Sequence, residues 1–266
     1  MRPQYLRGLL PPSLEKLLLR LGVAGNRYKY GYSTWAGAEA LCSGYNDSII
    51  LSTVIESSRK VKNGEAAFDR DGVVFQKPDY SWPLLTALLG TPRSKNSFRV
   101  VDWGGALGST YRQNVGLLND SKLDVNWVVV EQPHLAAIGA SQFSDSRLSF
   151  TDSLDELKPN EFDVVLFAGS VCYLEKPAQV IRKAVQLSPT RIVFDRTPEV
   201  ASNHDVIGIQ RVGRKIYKAS YPIWAFAPGS LAKMIGPDYK LSFDWISKFQ
   251  PDPQTTSKGY CFDRIN

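Results

Sequence analysis

The order of hydrophobic and polar positions divides the chain near residue 92. Beyond that point, short apolar runs bounded by turn residues alternate with stretches of helical periodicity. Strands are predicted at 98–103, 126–131, 147–150, 162–168 and 191–195, and helices at 110–118, 134–140 and 178–187. This alternation predicts an α/β, Rossmann-like domain over 93–266, whose mostly parallel sheet is covered by helices.

The C-terminal part has a different pattern. Residues 239–246 and 259–265 predict two strands joined by a long loop. Such a pair suits an antiparallel edge added to a parallel sheet.

The first 92 residues predict a helical extension. At 5–21, leucines recur at helical spacing around Pro11 and Pro12, and Arg7, Lys16 and Arg20 would form the polar face. This segment is either a helix packed on the domain or an interfacial helix in peripheral contact with an anionic membrane. Residues 35–62 predict two short helices separated by Ser43-Gly44-Tyr45.

Composition narrows the protein class. With 266 residues and 43% hydrophobic residues, the chain can bury a sizeable core. Cys42, Cys172 and Cys261 lie far apart and the chain has two histidines, so neither a disulfide framework nor a metal site is predicted. Charged residues interrupt the apolar stretches, so none is expected to be long enough to span a bilayer. A cytoplasmic protein is therefore expected, peripheral to the inner face of the membrane if 5–21 is interfacial.

The formal net charge of +6 allows a polyanionic partner. The basic residues are scattered, however, and form no arginine-rich run, so there is no strong nucleic-acid signal. Anionic sugars, nucleotide sugars and an acidic membrane surface stay open as reasons for the charge. The sequence carries no indication of an oligomeric state.

The strongest local motif is Val100-Val101-Asp102-Trp103-Gly104-Gly105-Ala106-Leu107-Gly108, between a buried strand and a helix. Glycines allow a sharp turn and close approach to a ligand, and the helix N-terminus offers free amides. A dinucleotide-binding motif would need glycine in place of Trp103, and the Gly-Lys-Ser/Thr of a P-loop is absent. A tight turn without a ligand is the structural alternative.

This segment resembles the first motif of class I S-adenosylmethionine-dependent methyltransferases, with Ala106 in place of the middle glycine. The resemblance implies S-adenosylmethionine as the cofactor. Gly104, Gly105 and Gly108 would wrap its methionine part, and Asp102 would help to hold the amino group, directly or through water.

Glu131 closes the next strand, Asn126-Trp127-Val128-Val129-Val130-Glu131. A carboxylate there can accept two hydrogen bonds from a ribose diol. The resemblance implies this role for Glu131, with Gln132 as its neighbour. Asp152, after the third strand, would contact the adenine amino group, and a helix N-cap is its open alternative.

The fourth strand ends in Ala168-Gly169-Ser170-Val171-Cys172-Tyr173, which in class I methyltransferases lines the space between cofactor and substrate. Gly169 and Ser170 are therefore candidate cofactor contacts, and Tyr173 is a candidate catalytic residue. Cys172 has no partner nearby in sequence and is expected to be a small buried residue.

A wider pattern, from about residue 30 to the end, is similar to a family of bacterial methyltransferases often encoded among surface-polysaccharide biosynthesis genes. The matching segments are Trp35-Ala36, Ser43-Gly44-Tyr45, Arg70-Asp71-Gly72-Val73, Ser81-Trp82, the glycine loop with Ser109, Trp127 to Gln132, Asp195-Arg196-Thr197-Pro198 and Tyr217-Lys218-Ala219-Ser220-Tyr221-Pro222. The resemblance carries no known acceptor.

The segment after the fifth strand is expected on the acceptor side, as an insertion at 196–237. His204 is the candidate general base, because its ordinary pKa lies close to working pH. Arg196 would bind an acidic acceptor group or form a salt bridge that holds the loop. The aromatic residues Tyr217, Tyr221, Trp224 and Phe226 either wall the acceptor pocket or form the core of an appended hairpin.

Three function classes follow. The first is methyl transfer to a small molecule or saccharide, the second is an RNA or protein methyltransferase, and the third is a binding protein that retains the fold without catalysis. Methyl transfer is favoured because Asp102, Gly104, Gly108 and Glu131 are all present.

Overall fold

The computed structural model describes residues 26–44, 48–70, 72–93, 96–213 and 219–265. Its main feature is a seven-stranded sheet in the order β11-β12-β8-β7-β4-β5-β6. The strands are β4 (Ser97–Trp103), β5 (Asp124–Val130), β6 (Leu148–Thr151), β7 (Val164–Ala168), β8 (Arg191–Glu199), β11 (Tyr239–Ile246) and β12 (Thr256–Arg264). Neighbours from β8 to β6 pair in parallel, whereas β12 is antiparallel to both β8 and β11. The predicted fold class, including the antiparallel edge pair, is confirmed.

Helices connect the parallel strands. They are α3 (Trp82–Leu89), α4 (Ser109–Asp120), α5 (Pro133–Ile138) and α6 (Pro177–Gln186), followed later by α7 (Ser230–Ile235). Alternate strand residues enter different clusters, with Val101 and Val165 in one and Val100 and Val164 in the other. The central parallel strands are therefore buried on both faces, as their near-continuous apolar sequences predict.

The N-terminal extension contains the two predicted helices, α1 (Trp35–Glu39) and α2 (Ser48–Lys62). It also contains strands that the pattern did not indicate: β1 (Arg27–Tyr32) and a short hairpin of β2 (Phe68–Arg70) and β3 (Val73–Phe75). The predicted helix at 5–21 and its membrane role lie outside the described residues, as do Tyr45, Asp71, Tyr217 and Lys218.

The region 196–237 joins this extension through a second sheet. Within it, β9 (Val206–Arg211) pairs antiparallel with both β1 and β10 (Ser220–Ala225). The strand β8 also continues to Glu199 instead of ending at 195, because β12 pairs with it past the register shift between Lys258 and Tyr260. One strand of the predicted extension and two strands of the predicted insertion thus form a three-stranded sheet.

Across the ranges that the structure describes, no helix is both long enough and apolar enough to cross a membrane. In the same ranges, no group of three or more His, Cys, Asp or Glu side chains is arranged to hold a metal ion.

Candidate functional site

The candidate site lies where the order of the parallel strands reverses. From β4 the chain moves to β5 and β6 on one side, and then returns to place β7 and β8 on the other. Ligands of open parallel sheets bind in the crevice at the carboxyl ends of the strands beside such a reversal. Here those ends are Trp103 on β4 and Ala168 on β7.

The glycine loop after β4 is shaped by three residues in the left-handed region, Gly104 (φ 69°), Ala106 (φ 50°) and Gly108 (φ 84°). A Cβ on Gly104 would lie 2.5 Å from Cβ of Ser170, and one on Gly108 would lie 2.8 Å from Cδ2 of Leu148. Both positions therefore require glycine. Ala106 adopts a left-handed conformation, which a non-glycine residue takes only uncommonly.

Asp102 lies buried beneath this loop, with none of its surface exposed. Its Oδ2 accepts a hydrogen bond from Nε1 of Trp127 (3.2 Å). Among the described residues its Oδ1 has no hydrogen-bond partner. A Cβ on Gly105 would come within 2.6 Å of Oδ2, so only glycine lets the loop fold this closely over the carboxyl group.

Burial raises the pKa of Asp102 to about 7, although the hydrogen bond from Trp127 and the charge of Arg196 oppose the shift. A buried carboxyl oxygen without a partner is costly in a folded protein. The positive charge of a ligand group that approached this oxygen would favour the ionised form.

Glu131 holds the glycine loop against the end of β5. Its Oε1 accepts from the backbone N–H of Ala106 (3.2 Å) and its Oε2 from the N–H of Gln132 (2.8 Å). Burial raises its pKa, and the two backbone donors partly offset that shift. Each carboxylate oxygen has two lone pairs, so Glu131 can still accept two hydrogen bonds from a diol.

Gln132 and Asp152, the other two residues expected near the adenosine part of the cofactor, are exposed. Gln132 precedes α5 at its N-cap position, and Asp152 follows β6. The cap of the turn at Leu154–Glu156 is Ser153, whose hydroxyl accepts from the N–H of Asp155 (3.1 Å). The N-cap alternative for Asp152 is therefore wrong, because the next residue occupies that position.

Arg196, which lies within β8, contacts the end of β7. Its guanidinium pairs with Asp195 (3.0 Å) and donates to the carbonyl of Ala168 (2.8 Å). A Cβ on Gly169 (φ 76°) would lie 3.3 Å from Nε of Arg196. Of the two roles left open by the sequence, the structure shows the salt bridge that holds the loop, and the guanidinium lies directly beside the candidate site.

The turn after β7 joins the crevice to the second sheet. The hydroxyl of Ser170 donates to the carbonyl of Trp103, and that of Tyr173 donates to Oε1 of Gln210 on β9 (2.5 Å). Tyr173 meets Tyr221 edge-on, with ring centroids 6.3 Å apart. Cys172 is buried as expected.

Two residues of this neighbourhood were not singled out from the sequence. Trp127 looked like one apolar residue among several in β5, yet its indole N–H holds Asp102. Gln210 is a buried polar residue within a strand, and no motif marks it. Only the fold brings either one to its partner.

His204 lies in the connection between β8 and β9, and its side chain is exposed. Its Nδ1 lies 2.7 Å from Oδ1 of Asn203 and 3.3 Å from the hydroxyl of Ser202. Because an amide oxygen can only accept, this contact is a hydrogen bond in the tautomer that carries the proton on Nδ1. Nε2 is then the nitrogen that can accept one.

The described aromatic residues of 196–237 differ in burial. Tyr221 and Phe226 are each 2% exposed and pack in hydrophobic clusters. Trp224 is half-buried and faces a cavity. Tyr217 lies outside the described residues.

The crevice fits S-adenosylmethionine chemically. Asp102 supplies a buried acceptor for a cationic amino group, the glycines allow backbone approach, and Glu131 supplies paired acceptors for a ribose diol. No lysine or arginine occurs in the loop at 103–109, so the site lacks the cation that a P-loop directs at phosphates.

Comparisons with known proteins give only distant likenesses. No family model matches the chain, and no curated protein matches it. Among solved structures, the chain is similar to an S-adenosylmethionine dependent methyltransferase from Mesorhizobium loti (14% identity, 69% of this chain and 97% of that one, TM-score 0.44).

A second similar structure is the 1,6-didemethyltoxoflavin-N1-methyltransferase of Burkholderia thailandensis with bound 1,6-didemethyltoxoflavin and S-adenosylhomocysteine (14% identity, 90% of this chain and 100% of that one, TM-score 0.47). A third is the N-terminal domain of EvdMO1 in the presence of S-adenosylhomocysteine and D-fucose (13%, 80% and 97%, TM-score 0.46). Because the identities are 13–14% and the TM-scores are below 0.5, these likenesses carry no argument about function. The roles of the site residues rest on the sequence and geometry of this chain.

Proposed function

We propose that this protein binds S-adenosylmethionine and transfers its methyl group to a small-molecule or saccharide acceptor, with a role in surface-polysaccharide biosynthesis. The observation that carries the proposal is the glycine loop closed over Asp102, whose buried Oδ1 has no partner among the described residues. Glu131 supports it, because its carboxylate fixes the loop and keeps lone pairs for a ribose. The cytoplasmic location expected from the sequence stays a prediction.

The chain's own task in such a reaction is alignment. Bound S-adenosylmethionine would supply an electrophilic methyl carbon, and the acceptor atom that bonds to this carbon in line with the sulfur would release S-adenosylhomocysteine as the leaving group. The protein has to hold the acceptor in that line and exclude water, and an oxygen acceptor must also lose a proton. In this proposal the β7 end, with Gly169, Ser170 and Tyr173, borders the reacting groups, and the region 196–237 contacts the acceptor.

The first test is cofactor selectivity by calorimetry. S-adenosylmethionine and S-adenosylhomocysteine should bind, whereas NADH and ATP should not, because the loop lacks both the dinucleotide motif and the P-loop lysine. Tight binding of NADH without binding of S-adenosylhomocysteine would contradict the proposal. A methyl-transfer screen on nucleotide sugars and lipid-linked glycans follows on the same sample, and binding without turnover would leave a non-catalytic protein.

His204 is the proposed general base, with Nε2 as the accepting atom. His204→Ala should lower turnover roughly 100-fold or more, in the range usual for loss of a general base, while it spares cofactor affinity. Asn203→Ala is the matched control, because it removes the contact to Nδ1 and keeps the imidazole. A His204→Ala enzyme with wild-type turnover would rule out His204 as the base.

A further inference from the structure

A cavity of about 330 Å³ opens where the first turn of α6 meets the region 196–237. None of the residues that surround it was assigned to the cofactor crevice. They are Lys176, Pro177, Ala178, Gln179, Arg182, Asp205, Trp224 and Met234. The accessible surface of the lining is mainly apolar, although four of its residues have polar side chains, and a mainly apolar wall with a few polar groups is usual for a small-molecule site.

Trp224 gives this cavity a fixed aromatic wall. Its indole N–H donates to the carbonyl of Leu174 (3.0 Å), and its ring stacks on Trp35 with centroids 5.9 Å apart and planes inclined by 21°. The electron-rich face of an indole attracts the weakly positive C–H bonds of a pyranose ring. A wall held by two contacts is also organised before a ligand arrives, which lowers the entropic cost of binding.

The cations of the cavity lack strong internal partners. In the part of the chain that the structure describes, no carboxylate lies within salt-bridge distance of Arg182. Lys176 reaches its chain neighbour Glu175 at 3.8 Å, and both side chains are about 60% exposed, so that pair contributes little. Two donors with fixed positive charge are therefore available to a ligand.

Asp205 is the acid of the lining, and its carboxylate is already in use. Its Oδ1 accepts from the N–H of Ala227 (2.7 Å) and from the hydroxyl of Ser230 (2.6 Å), which fixes the start of α7. Among the lining residues, two cations and one engaged carboxylate give an excess of one positive charge. The exposed Glu175 lies outside the lining and only weakly offsets the charge of Lys176. The first turn of α6 adds the positive end of a helix dipole.

We propose that this cavity binds an anionic pyranose, a sugar that carries a carboxylate or phosphate group. The ring stacks on Trp224, and the anion lies between Lys176 and Arg182. A purely apolar ligand would leave the two cations without a partner, and an inorganic anion would leave the indole uncovered. Because Leu174 directly follows Tyr173, the cavity adjoins the turn after β7. Its use in presenting an acceptor glycan rests on the proposed function, whereas sugar binding itself does not.

The test measures sugar binding without cofactor, by calorimetry and ligand-observed NMR. The probes are glucuronate, glucose 6-phosphate, glucose and inorganic phosphate. Glucuronate or glucose 6-phosphate should bind at least tenfold more tightly than glucose or phosphate alone, and the preference should weaken as salt is raised. Tight binding of glucuronate alone identifies a carboxylate site, and tight binding of glucose 6-phosphate alone identifies a phosphate site.

The variants locate the interaction. Arg182→Gln should bring the affinity for the charged sugar to within about threefold of that for glucose, and Lys233→Gln on α7 is the matched exposed cation that should change nothing. Equal binding of glucose and both charged sugars would overturn the proposal, and so would an unchanged Arg182→Gln. Inorganic phosphate that binds as tightly as glucose 6-phosphate would refute the sugar part. S-adenosylhomocysteine binding on the same sample tests the proposed function separately.

Discussion

Asp102→Asn should abolish the pH dependence of cofactor affinity and weaken that affinity at pH 8. In the free protein, burial raises the pKa of Asp102 to about 7, so most of the carboxyl is protonated at pH 6 and ionised at pH 8. If the ionised form is the one that binds the cationic amino group, affinity should fall roughly tenfold between pH 8 and pH 6, one power of ten for each unit below the pKa. Asparagine keeps the shape but carries no charge, so its weaker binding should be flat across this range.

The same substitution should change the pH dependence of stability in the ligand-free protein. The folded state raises the pKa of Asp102 above its ordinary value of 3.8, which means that folding favours the protonated, neutral carboxyl. This form predominates at low pH. Wild-type stability is then lost as pH rises from about 4 to about 7, by an amount on the order of a few kcal/mol. The stability of Asp102→Asn relative to wild type should rise over this interval, measured by urea unfolding at pH 5 and pH 8.

Asp252→Asn provides the matched control. Asp252 is also buried, but it lies in the loop between β11 and β12, where its Oδ2 accepts a hydrogen bond from the hydroxyl of Tyr30 on β1. It should leave the pH dependence of cofactor affinity as in wild type. If the cofactor affinity of the wild-type protein did not change with pH, the proposal that Asp102 binds the amino group of the ligand would be wrong.

The parallel sheet was predictable because its signals are local. Buried strands such as Val164–Ala168 read as continuous apolar runs, and the helices between them carry their own periodicity. The glycine loop was predictable for the same reason, since Gly104 and Gly108 adopt conformations that only a special residue type tolerates. The position of Glu131 was predictable as well, because the apolar run of β5 ends directly before it.

The rest depends on contacts between distant segments. The strand β1 becomes a strand by pairing with β9, which lies about 180 residues later in the chain (Arg27 with Arg211), and no local pattern encodes that partner. Likewise, Arg196 reaches the carbonyl of Ala168 only because β7 and β8 are neighbours. The role of Trp224 as a cavity wall depends on Trp35 and Leu174, which come from two other parts of the fold.

Glu131→Ala should weaken binding of S-adenosylhomocysteine roughly 10- to 100-fold, the range expected for losing hydrogen bonds to a charged acceptor. The strand end should stay folded, because the backbone of β5 and its pairing with β4 and β6 do not involve this side chain. Glu161→Ala, which removes an exposed acid before β7, is the control and should bind like wild type. Thermal melts of all three proteins check that the fold is retained.

Loss of affinity alone would not prove a contact with the ribose, because Glu131 also holds the loop through the N–H of Ala106. A 2′-deoxy analogue of S-adenosylhomocysteine separates the two effects, since it removes one ribose hydroxyl and leaves the loop unchanged. With wild-type protein the analogue should bind about tenfold more weakly than the parent compound, whereas Glu131→Ala should bind the two almost equally. Equal penalties for the analogue in both proteins would mean that Glu131 acts on the loop alone, and the ribose acceptor would then have to be sought elsewhere at the end of β5.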